Sequence, residues 1–137
     1  MAMDSFLAGW APRLLSVLRI VAAFLFIAHG AQKLFGFLSA PNWKGAPAAF
    51  TIPWVAGVLE FFGGLLLLVG LFTRPVAFVL SGLMAAAYFM GHASAGFWPI
   101  VNKGELAALY CFVFLYLAAA GAGPWSLDQM LSRGSRA

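Results

Sequence analysis

Charge is what this sequence has least of. Only 9% of its 137 residues are charged, where an ordinary globular domain carries about 25%. That leaves too little polar surface to cover a water-soluble domain and indicates a membrane protein. The net charge of +4 comes from side chains spread singly along the chain. Without a basic run there is no surface for nucleic acid, and none is expected as a partner. Cysteine is nearly missing too. Cys111 stands alone in an apolar run, which excludes an intramolecular disulfide and a CxxC thiol-exchange centre. The two histidines and two glutamates fall in no HxxxH, HxH or HExxH pattern, so no metal site is expected. A haem held by His29 and His92 is the weakest of the readings considered. Glycine-rich phosphate loops and the G-x-S-x-G elbow are also missing.

What is present is apolar: 64% hydrophobic residues and a mean hydropathy of +0.95. A helix crosses the hydrocarbon core in about 20 residues. Four segments meet that measure, roughly 14–35, 53–72, 75–93 and 104–121. The first is too long for a signal-peptide core and is followed by no clear cleavage site, so it is expected to be retained. Pro53 and Pro75 stand where a first helical turn accepts proline. The fold class expected is all-α: one integral membrane four-helix bundle, up-down-up-down. A short C-terminal helix should follow, capped by Ser126 with Gln129.

Counting cations by side places Arg13, Arg74, Arg133 and Arg136, with Arg19 just inside the first span, against Lys33, Lys44 and Lys103. The positive-inside rule then puts both termini in the cytoplasm of a bacterial plasma membrane. Arg19 reads as a snorkelling anchor or a headgroup contact.

Alternating spans turn scattered polar residues into a group. His29, Lys33, Glu60, His92 and Glu105 all fall in the leaflet opposite the termini, and Trp98 joins them from the third connection. His29 and Lys33 share a helical face at i,i+4. Gly57, Gly63 and Gly64 surround Glu60, so a second helix can approach it. Ionisable groups at that depth face the interior and find partners. For Glu60 these are Lys33, His29 or His92. Each residue also has an ordinary role: Lys33 and His92 lie near an interface, Glu105 suits a helix N-terminus, and Trp98 suits an aromatic belt.

The stretches "RIVAAFLFIAHGAQKLFGF" (19–37), "GVLEFFGGLLLLVGLFTRPVA" (57–77), "HASAGFWPIVNKGELAALY" (92–110) and "GAGPWSLD" (121–128) resemble, in order, those of the DoxX family of small bacterial four-helix membrane proteins. Family members often carry Gly-Pro-Gly-Arg near the last stretch. This chain has Gly-Ala-Gly-Pro at 121–124 and so lacks that arginine. The resemblance implies a membrane subunit. Some relatives are subunits of thiosulfate:quinone oxidoreductases, and others belong to complexes that handle thiol or oxidative stress. Three functions are therefore on the table. The first is an oxidoreductase-associated subunit with no intrinsic cofactor, no catalytic residue of its own and a quinone held by His29, Lys33, Glu60, His92, Glu105 and Trp98. The second is a non-catalytic scaffold, and the third a small-solute or proton transporter. Expected partners are the lipid bilayer, a protein in a membrane complex and a second copy of the chain.

Overall fold

The computed structural model describes residues 2–135; Arg136, one of the cations counted above, lies outside them. The chain is an all-α, multi-helix membrane protein with three long apolar helical rods. The first is α1, Ala2–Phe35. The second runs over Ile52–Val69 and the third over Thr73–Ala95. A shorter apolar helix, α6 (Glu105–Ala120), comes after them.

α1 starts well before the expected residue 14, because Pro12 sits inside the helix instead of ahead of it. Proline removes one hydrogen bond, and on the exposed outer part of α1 the freed carbonyl can be solvated. Its 34 residues span about 51 Å, more than the roughly 30 Å hydrocarbon core. The helix ends at Gly36, whose φ of 69° is left-handed. The Gly36 N–H donates to the Gln32 carbonyl at 3.1 Å, and the Trp43 ring covers the glycine where a Cβ would stand.

The second rod is not a uniform helix. α2 (Ile52–Val58) leads into a π-helical turn, Leu59–Gly63, and then α3 (Gly64–Val69). It lies antiparallel against α1, with Gly57 facing Lys33 and Leu34, Gly30 facing Phe61, and Gly64 facing Ile27. At Gly30 the contact is backbone to backbone: an added Cβ would lie 2.5 Å from Phe61 N and 2.8 Å from Gly57 O. Neither atom can step aside without moving a helix. Gly30→Ala is therefore expected to cost about 2 kcal/mol, and Gly30→Leu more, measured as loss of thermal stability in detergent. An unchanged melting temperature would show that the two helices do not meet there.

The turn to the third rod uses two left-handed residues, Gly70 at φ 69° and Phe72 at φ 51°. α4 (Thr73–Ala87) receives its cap from far along the chain. Asp128 Oδ1 accepts from Phe72 N at 2.8 Å, and Oδ2 accepts from Thr73 N at 2.9 Å. α4 continues through a second π turn, Tyr88–His92, and a 3-10 turn, Ala93–Ala95. α5 (Pro99–Asn102) is a single turn leading into α6. α6 runs back along α4. Arg74 reaches the carbonyls of Ala118 and Ala119, Ser81 Oγ donates to the Cys111 carbonyl at 2.8 Å, and His92 Nδ1 lies 3.1 Å from the Asn102 carbonyl. α7 (Leu127–Gly134) begins at Ser126, whose Oγ accepts from Gln129 N at 3.2 Å. The core between the rods is Phe26, Leu67, Leu80, Phe114 and Leu117. Phe26 meets Phe114 edge-on at 4.8 Å, and Phe114 stacks with Tyr110 at 5.4 Å.

Arg19 corrects the expectation of a snorkelling anchor. It is fully buried. Its Nε donates to Ala122 O at 2.9 Å, its Nη1 to Leu67 O at 2.5 Å and Leu68 O at 2.7 Å, and its Nη2 to Trp125 O at 2.5 Å. The last carbonyls of an α-helix are short of donors, and at the end of α3 the Gly70 N–H gives Leu67 O one bond, at 3.1 Å. The guanidinium supplies further donors to Leu67 O and Leu68 O and ties that end to the segment entering α7.

Candidate functional site

The two π turns mark one level of the bundle. A π turn inserts an extra residue and rotates the rest of the helix about its axis, and such turns occur often at functional sites. Here one carries Glu60 and the other ends at His92. Both residues line a cavity of about 290 Å³, together with His29, Lys33, Lys103 and Tyr110. Its apolar wall includes Phe26, Met84 and Leu106. His29 on α1, Lys103 just before α6 and Leu106 on α6 line the cavity and are also exposed, so it opens between α1 and the start of α6.

Glu60 is 3% exposed. Its Oε1 accepts from Lys33 Nζ at 2.5 Å, so of the three partners considered, lysine takes the carboxylate. Glu60 Oε2 is buried and has no hydrogen-bond partner. A buried polar atom left unpaired costs about 1–3 kcal/mol. His29 sits at the rim instead of bonding Glu60. Its ring meets the edge of Tyr110 across the mouth, 6.4 Å between centroids.

The far wall is held by Asn102, which is buried. Its Nδ2 donates to Gly96 O at 2.7 Å and to the Tyr88 hydroxyl at 3.1 Å, while its Oδ1 accepts from Gly104 N at 2.7 Å. The Tyr88 hydroxyl in turn donates to the Phe97 carbonyl. This network holds Lys103 in a left-handed conformation, φ 60°, beside the cavity. Among the described residues no trio of His, Cys, Asp or Glu is grouped closely enough to hold a metal.

Four of the six side chains singled out in the sequence therefore meet: His29, Lys33, Glu60 and His92. Two do not line the cavity. Glu105 points outward from the first turn of α6. Trp98 is 68% exposed and packs edge-on against Phe97, because its backbone turns away to start α5. Lys103, Tyr110 and Asn102 were missed. Lys103 carries no sequence signal beyond its charge on one side of the membrane, and Tyr110 lies in an apolar run with nothing to distinguish it from packing.

These features define a class: a multi-pass, all-α membrane protein with a polar cavity between its helices. The chain belongs to the DoxX family, whose profile matches residues 14–93. It is 44% identical over 126 residues to an uncharacterized protein of Haemophilus influenzae, covering 90% of this chain and 94% of that one. It is 33% identical over 122 residues to the inner membrane protein YqjF of Escherichia coli, covering 85% and 91% of the two chains. Putative oxidoreductase CatD of Bacillus subtilis is 24% identical over 121 residues, with 88% of each chain covered. No solved structure matches the chain.

Proposed function

We infer that this protein is the membrane subunit of an oxidoreductase system and that the cavity seats a quinone headgroup. The observation that carries this reading is Glu60 Oε2, a buried acceptor without a partner in a residue lining a cavity that opens between α1 and α6. A volume of about 290 Å³ lies just below the usual range of ligand pockets, about 300–1,000 Å³. It suits one ring, with an apolar tail leaving through the mouth into lipid. His29, Lys33 and His92 supply donors for ring oxygens, Phe26 and Tyr110 supply flat apolar walls, and Glu60 exchanges protons with the bound group. A quinone carries two electrons and two protons per cycle. The electrons come from a protein partner, and the oxidoreductase name carried by the relative CatD supports such a system.

In this reading the chain forms one domain of four alternating spans, α6 being the fourth, in a bacterial inner membrane with both termini cytoplasmic. The name of the E. coli relative supports that location. α6 has 16 residues and spans about 24 Å, with the short α5 and the loop at its start lying near the headgroups.

The test is quinone content. Protein purified in mild detergent is extracted and its quinone measured per chain. Loss of a hydrogen bond to a charged group is worth about 1.5–3 kcal/mol. Glu60→Gln should accordingly retain about tenfold less quinone, or less still. Equal content in both proteins would remove Glu60 from the site. A second reading, a scaffold using the cluster as interhelical glue, is favoured by the 2.5 Å Lys33–Glu60 ion pair. It predicts no co-purifying quinone in either protein.

A further inference from the structure

The polar cavity is not the one opening among the described residues. A cleft of about 670 Å³ lies at the other end of the bundle, between α1 near Pro12, the turn at Phe72–Pro75, the end of α6 and α7. Along α1, Pro12 and Phe35 are separated by about 35 Å, slightly more than the hydrocarbon thickness, which places the cleft at the opposite headgroup level.

Two opposite charges line it. Arg74 is exposed, and a guanidinium has five N–H donors. Its Nη1 serves the Ala118 and Ala119 carbonyls, and its Nη2 serves the Ala120 carbonyl at 3.5 Å. These contacts hold the group in place while leaving it donors. Gly121 makes room for it, since a Cβ there would lie 3.3 Å from Arg74 Nη2. Asp128 spends one lone pair of each oxygen on Phe72 N and Thr73 N, and a carboxylate has about four such sites. Thr73 also lines the cleft; it is fully buried, and its hydroxyl has no partner. Gln129 and Ser132 contribute further neutral polar groups to the lining. Phe72 and Trp125 beside it are exposed, giving apolar surface for chains that extend from the headgroup.

The geometry points to a binding site for a zwitterionic lipid headgroup that pairs a phosphodiester with a primary ammonium. Arg74 takes the phosphate, and Asp128 takes the ammonium. A purely anionic headgroup meets the Asp128 carboxylate, while a trimethylated ammonium has no N–H to give it. The site is independent of the cavity around Glu60.

The experiment compares thermal unfolding of delipidated, detergent-purified protein after adding phosphatidylethanolamine, phosphatidylglycerol or phosphatidylcholine with matched acyl chains. Phosphatidylethanolamine should raise the melting temperature most, and at about tenfold lower concentration than the other two. Arg74→Gln should abolish that advantage, and Asp128→Asn should let phosphatidylglycerol match it. Because Asp128 also caps α4, Ser132→Trp provides a variant on an exposed helix position that fills the cleft without touching the cap; it too should erase the advantage. Free O-phosphoethanolamine should compete only at millimolar concentration. An equal response to the three lipids, an advantage that survives Ser132→Trp, or competition by the free compound at micromolar concentration would overturn the proposal.

Discussion

Arg19→Met should produce one of the largest losses of stability of any single substitution in this chain. Methionine keeps the length and the apolar contacts of the stem, so the change isolates the guanidinium. Four carbonyls lose a donor: Leu67, Leu68, Ala122 and Trp125. Leu67 O keeps one bond, from Gly70 N at 3.1 Å; the others depend more heavily on the arginine. An unsatisfied buried acceptor costs about 1–3 kcal/mol, and such costs do not simply add. A total of about 4 kcal/mol is expected, a large share of a stability of about 5–15 kcal/mol. Arg19→Lys should recover only part of it, because one ammonium cannot fork to carbonyls on two sides. Detergent-solubilised unfolding by heat or by a denaturing detergent measures both variants. A methionine variant that melts within a degree or two of the parent would mean that the tail does not depend on Arg19 for its docking.

The second large effect separates the two functional readings. Lys33→Met leaves the Glu60 carboxylate buried without its counter-charge, and breaking a buried pair in this way costs about 3–5 kcal/mol. Glu60→Met alone frees a lysine that is 39% exposed and can turn toward the interface, so it should cost less. The double variant Lys33→Met/Glu60→Met should return most of the lost stability, since two apolar chains can replace a paired charge at little net cost. If the pair serves only as glue, nothing else should change. If the cavity seats a quinone headgroup, the double variant should be stable yet carry no quinone. A double variant no more stable than Lys33→Met would show that the two side chains are not coupled.

The assembly of His29, Lys33, Glu60 and His92 was legible because it depends on levels alone. Alternating apolar rods must bring the end of one helix beside the start of the next, so residues near shared ends meet whatever the packing details. Which atom pairs with which was not legible. That depends on rotation about each helix axis, and the π turns at Leu59–Gly63 and Tyr88–His92 shift that rotation in a way no regular periodicity signals. Glu105 and Trp98 were drawn in by level and fell outside by rotation and by the direction of the loop.

Arg19 shows the same division more sharply. Its depth from a helix end suits snorkelling and capping equally well, and the carbonyls that decide between them lie up to 106 residues away. Composition and apolar run length were sufficient to make this chain a helical membrane protein, because lipid tolerates few charges and requires backbone hydrogen bonds to close within a helix. Where each of the few polar side chains finds its partner was decided by the tertiary structure, because that depends on contacts between segments that only packing brings together.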